Sequence, residues 1–334
     1  MKSNKRRWLC FRSIAVVLAI ISLCLVVSTG CTKKPLKDEV VIGIAWREDT
    51  DSEFYTNIVA AVEEVGGKPV LLKQVKADYL TYDSENALID CSDEVGGLTL
   101  DAANIIKEKL WENTNIEDVM QGIDAVIFTG GEDISSSLYA KPEPWHGIEA
   151  EIDYNSTRDT SDYILMSYCI ENNIAVVGFC RGMQMLAVVS GAEMIQDIPT
   201  HYRNLNKEYR YQHRNEKATP ESYRDYVPHN VSIAKDSLAY KIYRKDLLTG
   251  CPSWHHQAVL NVDGTNLVVS GSVDTNSENM IEIIEHAEKD FIIGFQFHPE
   301  AAAVKHLNGV DSADDFMDYD TALIVFKSLV DTIS

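Results

Sequence analysis

Val176-Val177-Gly178-Phe179-Cys180-Arg181-Gly182-Met183-Gln184 carries an apolar strand into a glycine-flanked cysteine and then into a helix. Ile174 to Gly178 is a continuous apolar run of strand length, and Met183 to Val189 follows at helical spacing. Glycines two residues before and two after Cys180 allow a sharp turn in which backbones meet without side-chain clashes, as in the G-x-S-x-G nucleophile elbow. That turn places the sulfur at the amino end of a helix, where unpaired N–H groups and the helix dipole favour the thiolate, the reactive form. A lone G-x-C-x-G equally describes a small residue packed at the end of a strand.

The same alternation recurs on either side of this stretch. Val40 to Ala45 is an apolar strand, followed by Phe54, Ile58, Val62 and Val65 at helical spacing until Gly66-Gly67 stops the helix. Pro69 to Leu72 reads as the next strand. Residues 73 to 122 are less regular, with Asp101 the expected cap of a helix bearing Ala103, Ile106 and Leu110. Asp124 to Phe128 is a buried strand ending in Thr129-Gly130-Gly131, and Asp159 is the expected cap of a helix through Tyr163, Met166 and Ile170. Strands alternating with helices imply parallel pairing. The last third differs: Val231 to Ala234, Ala258 to Val262, Leu267 to Ser272, Met280 to Glu285 and Phe291 to Phe297 are strand-like with short connections, before a closing helix from Asp315 to Ile333. The expected fold is therefore an α/β three-layer sandwich with a mostly parallel central sheet and antiparallel additions to that sheet. The polar stretch from His201 to Tyr226 reads as a surface excursion.

Two further motifs carry chemistry. In Gln296-Phe297-His298-Pro299-Glu300, Pro299 biases His298 toward an extended conformation, which sets residues i and i+2 on one face. Glu300 is then placed to hold one imidazole nitrogen and leave the other free to take and return a proton. Alone, His-Pro-Glu also describes a strand end with a surface salt link. The Thr129-Gly130-Gly131 turn offers backbone N–H donors to a developing oxyanion; alone, it is equally an ordinary turn after a strand.

The order of these motifs, glycine turn, cysteine elbow, His-Pro-Glu, resembles the flavodoxin-like class I glutamine amidotransferase fold, and within it the γ-glutamyl-γ-aminobutyrate hydrolase family. The resemblance extends over nearly all of residues 40 to 334, in EFYTNIVAAVEEVGGKPVLL (53–72), VIFTGGEDISSSLY (126–139), Arg158-Asp159, GFCRGMQ (178–184), Gln196 to Pro199, Val227-Pro228-His229, His255-His256-Gln257 and Gln296 to Glu300. It implies Cys180 as nucleophile, His298 as base and acid, Glu300 as its orienter, and the backbone N–H groups of Gly131 and Arg181 as oxyanion hole. It also places Gly130, Gln184, His255, His256 and Gln257 around the substrate. His255 and His256 equally describe a structural loop or a metal pair, although neighbours on a strand face opposite ways and do not share one ion. Thr129 where the family usually has Pro, Trp254 before the histidine pair, and a long 73–121 segment are departures bordering the substrate pocket.

The implied chemistry is hydrolysis of γ-glutamyl amides through a glutamyl thioester, needing no cofactor and no metal. Two other functions fit the same motifs: the glutaminase subunit of an amidotransferase, and a lipid-anchored binding protein that keeps the pocket without turnover. The substrate class is a small-molecule or peptide γ-glutamyl amide, and a homodimer is left open.

Composition and processing signals complete the picture. The 334 residues are 45% hydrophobic and carry a formal charge of -21, which excludes a disordered chain and opposes nucleic-acid binding. Lys2, Lys5, Arg6, Arg7 and Arg12 precede an apolar run, Ile14 to Val27, that ends in Ser28-Thr29-Gly30-Cys31. This is the pattern of a signal peptide with a lipobox-like end, too short for a membrane span of about 20 residues. Residues 1–30 are the expected signal, Cys31 the lipidated first residue, 31–39 a tether and 40–334 the catalytic domain, anchored to a bacterial membrane outside the cytoplasm. An uncleaved anchor with a coincidental cysteine is the alternative. Cys91, Cys169, Cys180 and Cys251 remain, at spacings that match no metal-binding pair or dense disulfide framework.

Overall fold

Strands buried on both faces must be apolar throughout, and those at the centre of this chain are. The computed structural model describes residues 39–147, 149–210, 213–214, 226–275 and 278–334. The expected signal peptide, Cys31 and all of the tether except Glu39 lie outside them. The strands are β1 (Val41–Ile44), β2 (Lys68–Leu71), β3 (Ala125–Phe128), β4 (Ala175–Phe179), β5 (Glu193–Ile195), β6 (Val227–Ile233), β7 (Leu247–Ser253), β8 (Ala258–Asn261), β9 (Leu267–Thr275), β10 (Glu278–His286) and β11 (Ile292–Phe295). Nine form one sheet in the order β2-β1-β3-β4-β11-β10-β9-β6-β7. The first five are mutually parallel, and the last four add on antiparallel. The architecture is the mostly parallel α/β sandwich expected from the sequence.

The helices are α1 (Glu53–Glu64), α2 (Leu100–Lys109), α3 (Ile116–Val119), α4 (Ser156–Glu171), α5 (Arg181–Val189), α6 (Ile198–Asn204), α7 (Leu238–Tyr243), α8 (Pro299–Leu307) and α9 (Tyr319–Ile333). The period-2 alternation of the central strands sorts their side chains into two apolar layers. Val126, Phe128 and Val176 pack with Ile164, Leu165 and Leu186 of α4 and α5, whereas Ala125, Ile127, Val177 and Phe179 pack with Ile58, Val62 and Phe326 of α1 and α9. Each such Val, Leu, Ile or Phe side chain, fully buried, contributes about 1.5–3 kcal/mol. The register pairs Phe128 with Gly178 and Phe179 with Phe295, so β3, β4 and β11 end level. The residues just beyond them, Gly130-Gly131, Cys180 and His298, therefore leave the sheet side by side at its carboxyl edge.

Several local expectations are corrected. Thr99, not Asp101, caps α2, its side chain accepting from the Ala102 N–H. Asn155 caps α4, and Asp159 instead lies inside the helix, fully buried. Asp318 caps α9, which begins at Tyr319. β8 pairs with β5 in a separate two-stranded ribbon instead of joining the parent sheet. The long 73–122 segment covers α4: the Ser161 Oγ accepts from the Val75 N–H at 3.0 Å, and Leu88, Leu98 and Ile106 are buried in the layer beneath. His213, inside the stretch expected at the surface, is completely buried.

Candidate active site

Cys180 follows the last residue of β4 and caps α5 with φ 49° and ψ −105°, a backbone conformation that costs a non-glycine residue of order 1–3 kcal/mol. The surrounding glycines are obligatory. A Cβ on Gly178 would sit 2.5 Å from the Gly182 backbone, and one on Gly182 would sit 2.5 Å from the Phe128 carbonyl oxygen. The Cys180 N–H donates to the Phe295 carbonyl at 2.7 Å, tying the elbow to β11. Arg181 is the first residue of α5, where backbone N–H groups have no partner within the helix.

His298 caps α8 with φ −117° and ψ 74°, and Glu300 lies in the first helical turn. The pair therefore meets across a helix start and not along the extended segment expected from Pro299. The imidazole Nδ1 and the Glu300 Oε1 are 2.6 Å apart, both side chains buried. Burial is the largest influence on His298 and works against its charge, but Glu300 and the neighbouring Cys180 outweigh it and raise the imidazole to about 9. Phe54 and Tyr226 flank the ring, at centroid separations of 6.2 and 5.3 Å.

The glycine turn is built around charge. The Gly130 carbonyl accepts from Arg47 Nη1 and Arg158 Nη2, each at 2.9 Å. Because a trans peptide sets its C=O and N–H on opposite sides, two guanidinium groups holding that carbonyl aim the Gly131 N–H the other way. Gly131 has φ +138°, and a Cβ there would lie 2.1 Å from Arg158 Nη1. Thr129 Oγ1 accepts from Arg158 Nη2 at 2.8 Å, which gives the departure from Pro a role. Glu132 faces Arg158 and Arg47; burial opposes its charge, yet the two cations hold its carboxyl well below the usual carboxylate range. Behind them the buried Arg181 side chain pairs with Asp159 at 2.6 Å and with Asp162. Arg47 sits in a loop with no motif around it, and Arg158 was visible only within the Arg158-Asp159 pair.

A cleft of about 130 Å³ opens at Cys180, lined by Gly131, Asp133, Glu151, Asp153, Gln184, Arg214, Trp254, His255, His256 and Gln257. It is smaller than the roughly 300 Å³ at which drug-sized sites begin and suits an amino-acid head. Of the expected substrate residues, Gly130 is not in this lining: its carbonyl turns to the guanidinium groups and its Cα side packs against Phe54 and His298. His255 and His256 face different surroundings. Burial opposes a charge on His256, but Asp133 at 3.1 Å and Asp197 at 3.5 Å raise it to about 9. Burial lowers His255 to about 4, against the pull of Glu282. The Trp254 carbonyl is 3.9 Å from the Cys180 sulfur. Among the described residues two groups have metal-ligand proximity: Glu151, Asp197 and His256, where Arg214 already neutralises Glu151 at 2.7 Å, and His213, His255 and Glu282. Cys91, Cys169, Cys180 and Cys251 are all free thiols.

A family model described as Peptidase C26 matches residues 99–300, a span that holds Gly131, Cys180, His298 and Glu300. The chain belongs to the Peptidase C26 family. Protein NtpR of Enterococcus hirae is 31% identical over 179 residues, 53% of this chain and 67% of the relative. The glutamine amidotransferase-like protein RP404 of Rickettsia prowazekii is 27% identical, over 66% of this chain and 80% of its own length. A solved glutamine amidotransferase of Thermotoga maritima aligns over 89% of this chain and 99% of its own, with 15% identity and a TM-score of 0.46. Family membership makes this chain a glutamine-amidotransferase-type hydrolase of the cysteine class.

Proposed function

We propose that this Peptidase C26 protein hydrolyses γ-glutamyl amides through Cys180, His298 and Glu300. The observation that carries the reading is a cysteine held at positive φ on the elbow between β4 and α5, beside a buried imidazole whose other nitrogen is 2.6 Å from a buried carboxylate. The Cys180 thiolate attacks the side-chain carbonyl carbon of the glutamyl group, and the oxyanion is stabilised by the N–H groups of Gly131 and Arg181. His298 gives its proton to the amide nitrogen as the carbon–nitrogen bond breaks, leaving a glutamyl thioester and a free amine. A water molecule, losing its proton to His298, then splits the thioester into glutamate and the regenerated thiolate. Of the charged lining, Asp153 lies outside the Arg214–Glu151 and His256–Asp133 pairs and suits the ammonium of the glutamyl head. Incubating the purified protein with a panel of γ-glutamyl amides, γ-glutamyl peptides and glutamine, with mass spectrometry of the products, tests this reading. Absence of glutamate release from every member would contradict it.

The pH dependence follows from His298. As its imidazolium persists to about 9, turnover is expected to decline as pH rises through that value, where the acid for the leaving amine is lost. Glu300→Gln removes the anion that most favours the imidazolium, so this limb should move to lower pH and turnover should fall by about 10–10³-fold, while iodoacetamide still alkylates Cys180. An unchanged pH–rate profile in the variant would remove Glu300 from the site.

We also propose that the chain is exported and held to a membrane by lipid on Cys31. Cys31→Ala is expected to abolish incorporation of labelled fatty acid. Incorporation that survives the change would exclude this anchor.

A further inference from the structure

Behind the substrate cleft, three imidazoles converge on one carboxylate that the proposed chemistry does not use. Glu282 of β10 is wholly buried at a point where the β9 pairing shifts register. Around it stand His213, His229 of β6 and His255, all at least nine-tenths buried. His213 Nδ1 is 3.2 Å from Glu282 Oε1, His255 Nε2 is 3.6 Å from the same oxygen, and His229 Nε2 is 3.4 Å from Oε2. These are ion-pair contacts and not aligned hydrogen bonds: the two shorter lie within hydrogen-bond distance without hydrogen-bond geometry, and the third is too long.

The backbone decides which nitrogen of His255 faces the carboxylate. Its Nδ1 lies 2.8 Å from the Gln257 carbonyl oxygen, which only accepts, so Nδ1 carries the proton. In the neutral ring Nε2 is then an acceptor 3.6 Å from another acceptor, Glu282 Oε1. A cation between them removes that conflict, and an imidazole whose second nitrogen donates to a backbone carbonyl is the usual state of a metal-bound histidine. His213 Nδ1, His255 Nε2 and Glu282 Oε1 lie within 4.8 Å of one another. Tetrahedral zinc with bonds of 2.0–2.1 Å separates its ligand atoms by about 3.3 Å, close to the 3.2 and 3.6 Å found for the two imidazole–carboxylate edges.

We propose that His213, His255 and Glu282 bind one zinc ion, with His229 orienting Glu282 through its second oxygen. Two imidazoles and a carboxylate are a recurrent zinc donor set, and the mixture of nitrogen and oxygen donors disfavours calcium and magnesium. The ion ties the 213–214 segment and the residues after β7 to β10. It thereby fixes His255 and its neighbour Trp254, whose carbonyl lies against the Cys180 sulfur. The role is positioning, and the site is separate from His256, which turns to Asp133 and Asp197.

The test is zinc stoichiometry by elemental analysis of untagged full-length protein, followed by chelator competition. Cys180→Ser is included because a thiolate and His298 could themselves capture zinc. About one zinc per chain is expected in the unaltered protein and in Cys180→Ser. Glu282→Gln and His213→Gln should weaken binding at least 100-fold, and His229→Phe about 10–100-fold, with circular dichroism reporting whether each variant folds. Should the variants fail to fold, cobalt(II) titration of Cys180→Ser reads the donor set directly, with tetrahedral visible bands expected. No zinc in the unaltered protein, its loss in Cys180→Ser, octahedral cobalt bands, or retention in folded Glu282→Gln with loss in Asp197→Asn would each overturn the proposal.

Discussion

Cys180→Ala is expected to lower turnover of γ-glutamyl amides by about 10⁴-fold or more, the scale at which removal of a triad nucleophile is felt. Stability should change by no more than about 1 kcal/mol, because the sulfur lies at the edge of the cleft. Alkylation separates the nucleophile from the other thiols. Burial pushes the Cys169 and Cys251 thiols well up and raises that of Cys91, whereas Cys180 has the His298 imidazolium beside it. Iodoacetamide below pH 8 should therefore label Cys180 first, and a γ-glutamyl substrate should protect it. Turnover by Cys180→Ala within tenfold of the unaltered protein would remove the nucleophile from the account.

Gly131→Ala should produce the next largest loss. The added Cβ would meet Arg158 Nη1 at 2.1 Å and Arg47 Nη1 at 2.7 Å, on a backbone with φ +138°. Both guanidinium groups hold the Gly130 carbonyl, so relieving the clash releases the peptide that aims the Gly131 N–H. One oxyanion donor is worth about 10²–10³-fold in kcat, and the strained backbone adds about 1–3 kcal/mol of destabilisation. Alkylation by iodoacetamide develops no oxyanion, so its rate should be nearly unchanged in a variant that remains folded. A kcat within tenfold of the unaltered protein would place the oxyanion elsewhere.

The parts of this molecule that were legible in the sequence are those encoded locally. The elbow needs two glycines within five residues, and each is required by a backbone contact of 2.5 Å, so its signature is contiguous. The parallel strands are apolar throughout because both faces are covered. What escaped is set by distant partners. β7 holds Gly250 and Pro252, residues that argue against a strand, and is tolerated because it lies at the sheet edge. Asp159 has the composition of a helix cap, but Arg181, 22 residues away, draws it into the interior. Glu282 sits in an apolar strand with nothing nearby to signal that three histidines, the furthest 69 residues earlier in sequence, enclose it. The contact between His298 and Glu300 was legible as a pair, whereas its geometry, a helix start in place of an extended strand, was not.

Rapid acid quenching during turnover, followed by peptide mass spectrometry, reads the covalent intermediate itself. A thioester intermediate requires that the peptide containing Gly178 to Gln184 carry the mass of one glutamyl group, with the adduct on Cys180 and absent from Cys180→Ala. Glutamyl mass on any other residue, or steady turnover with no adduct on this peptide when quenched in the pre-steady-state burst, would contradict the account.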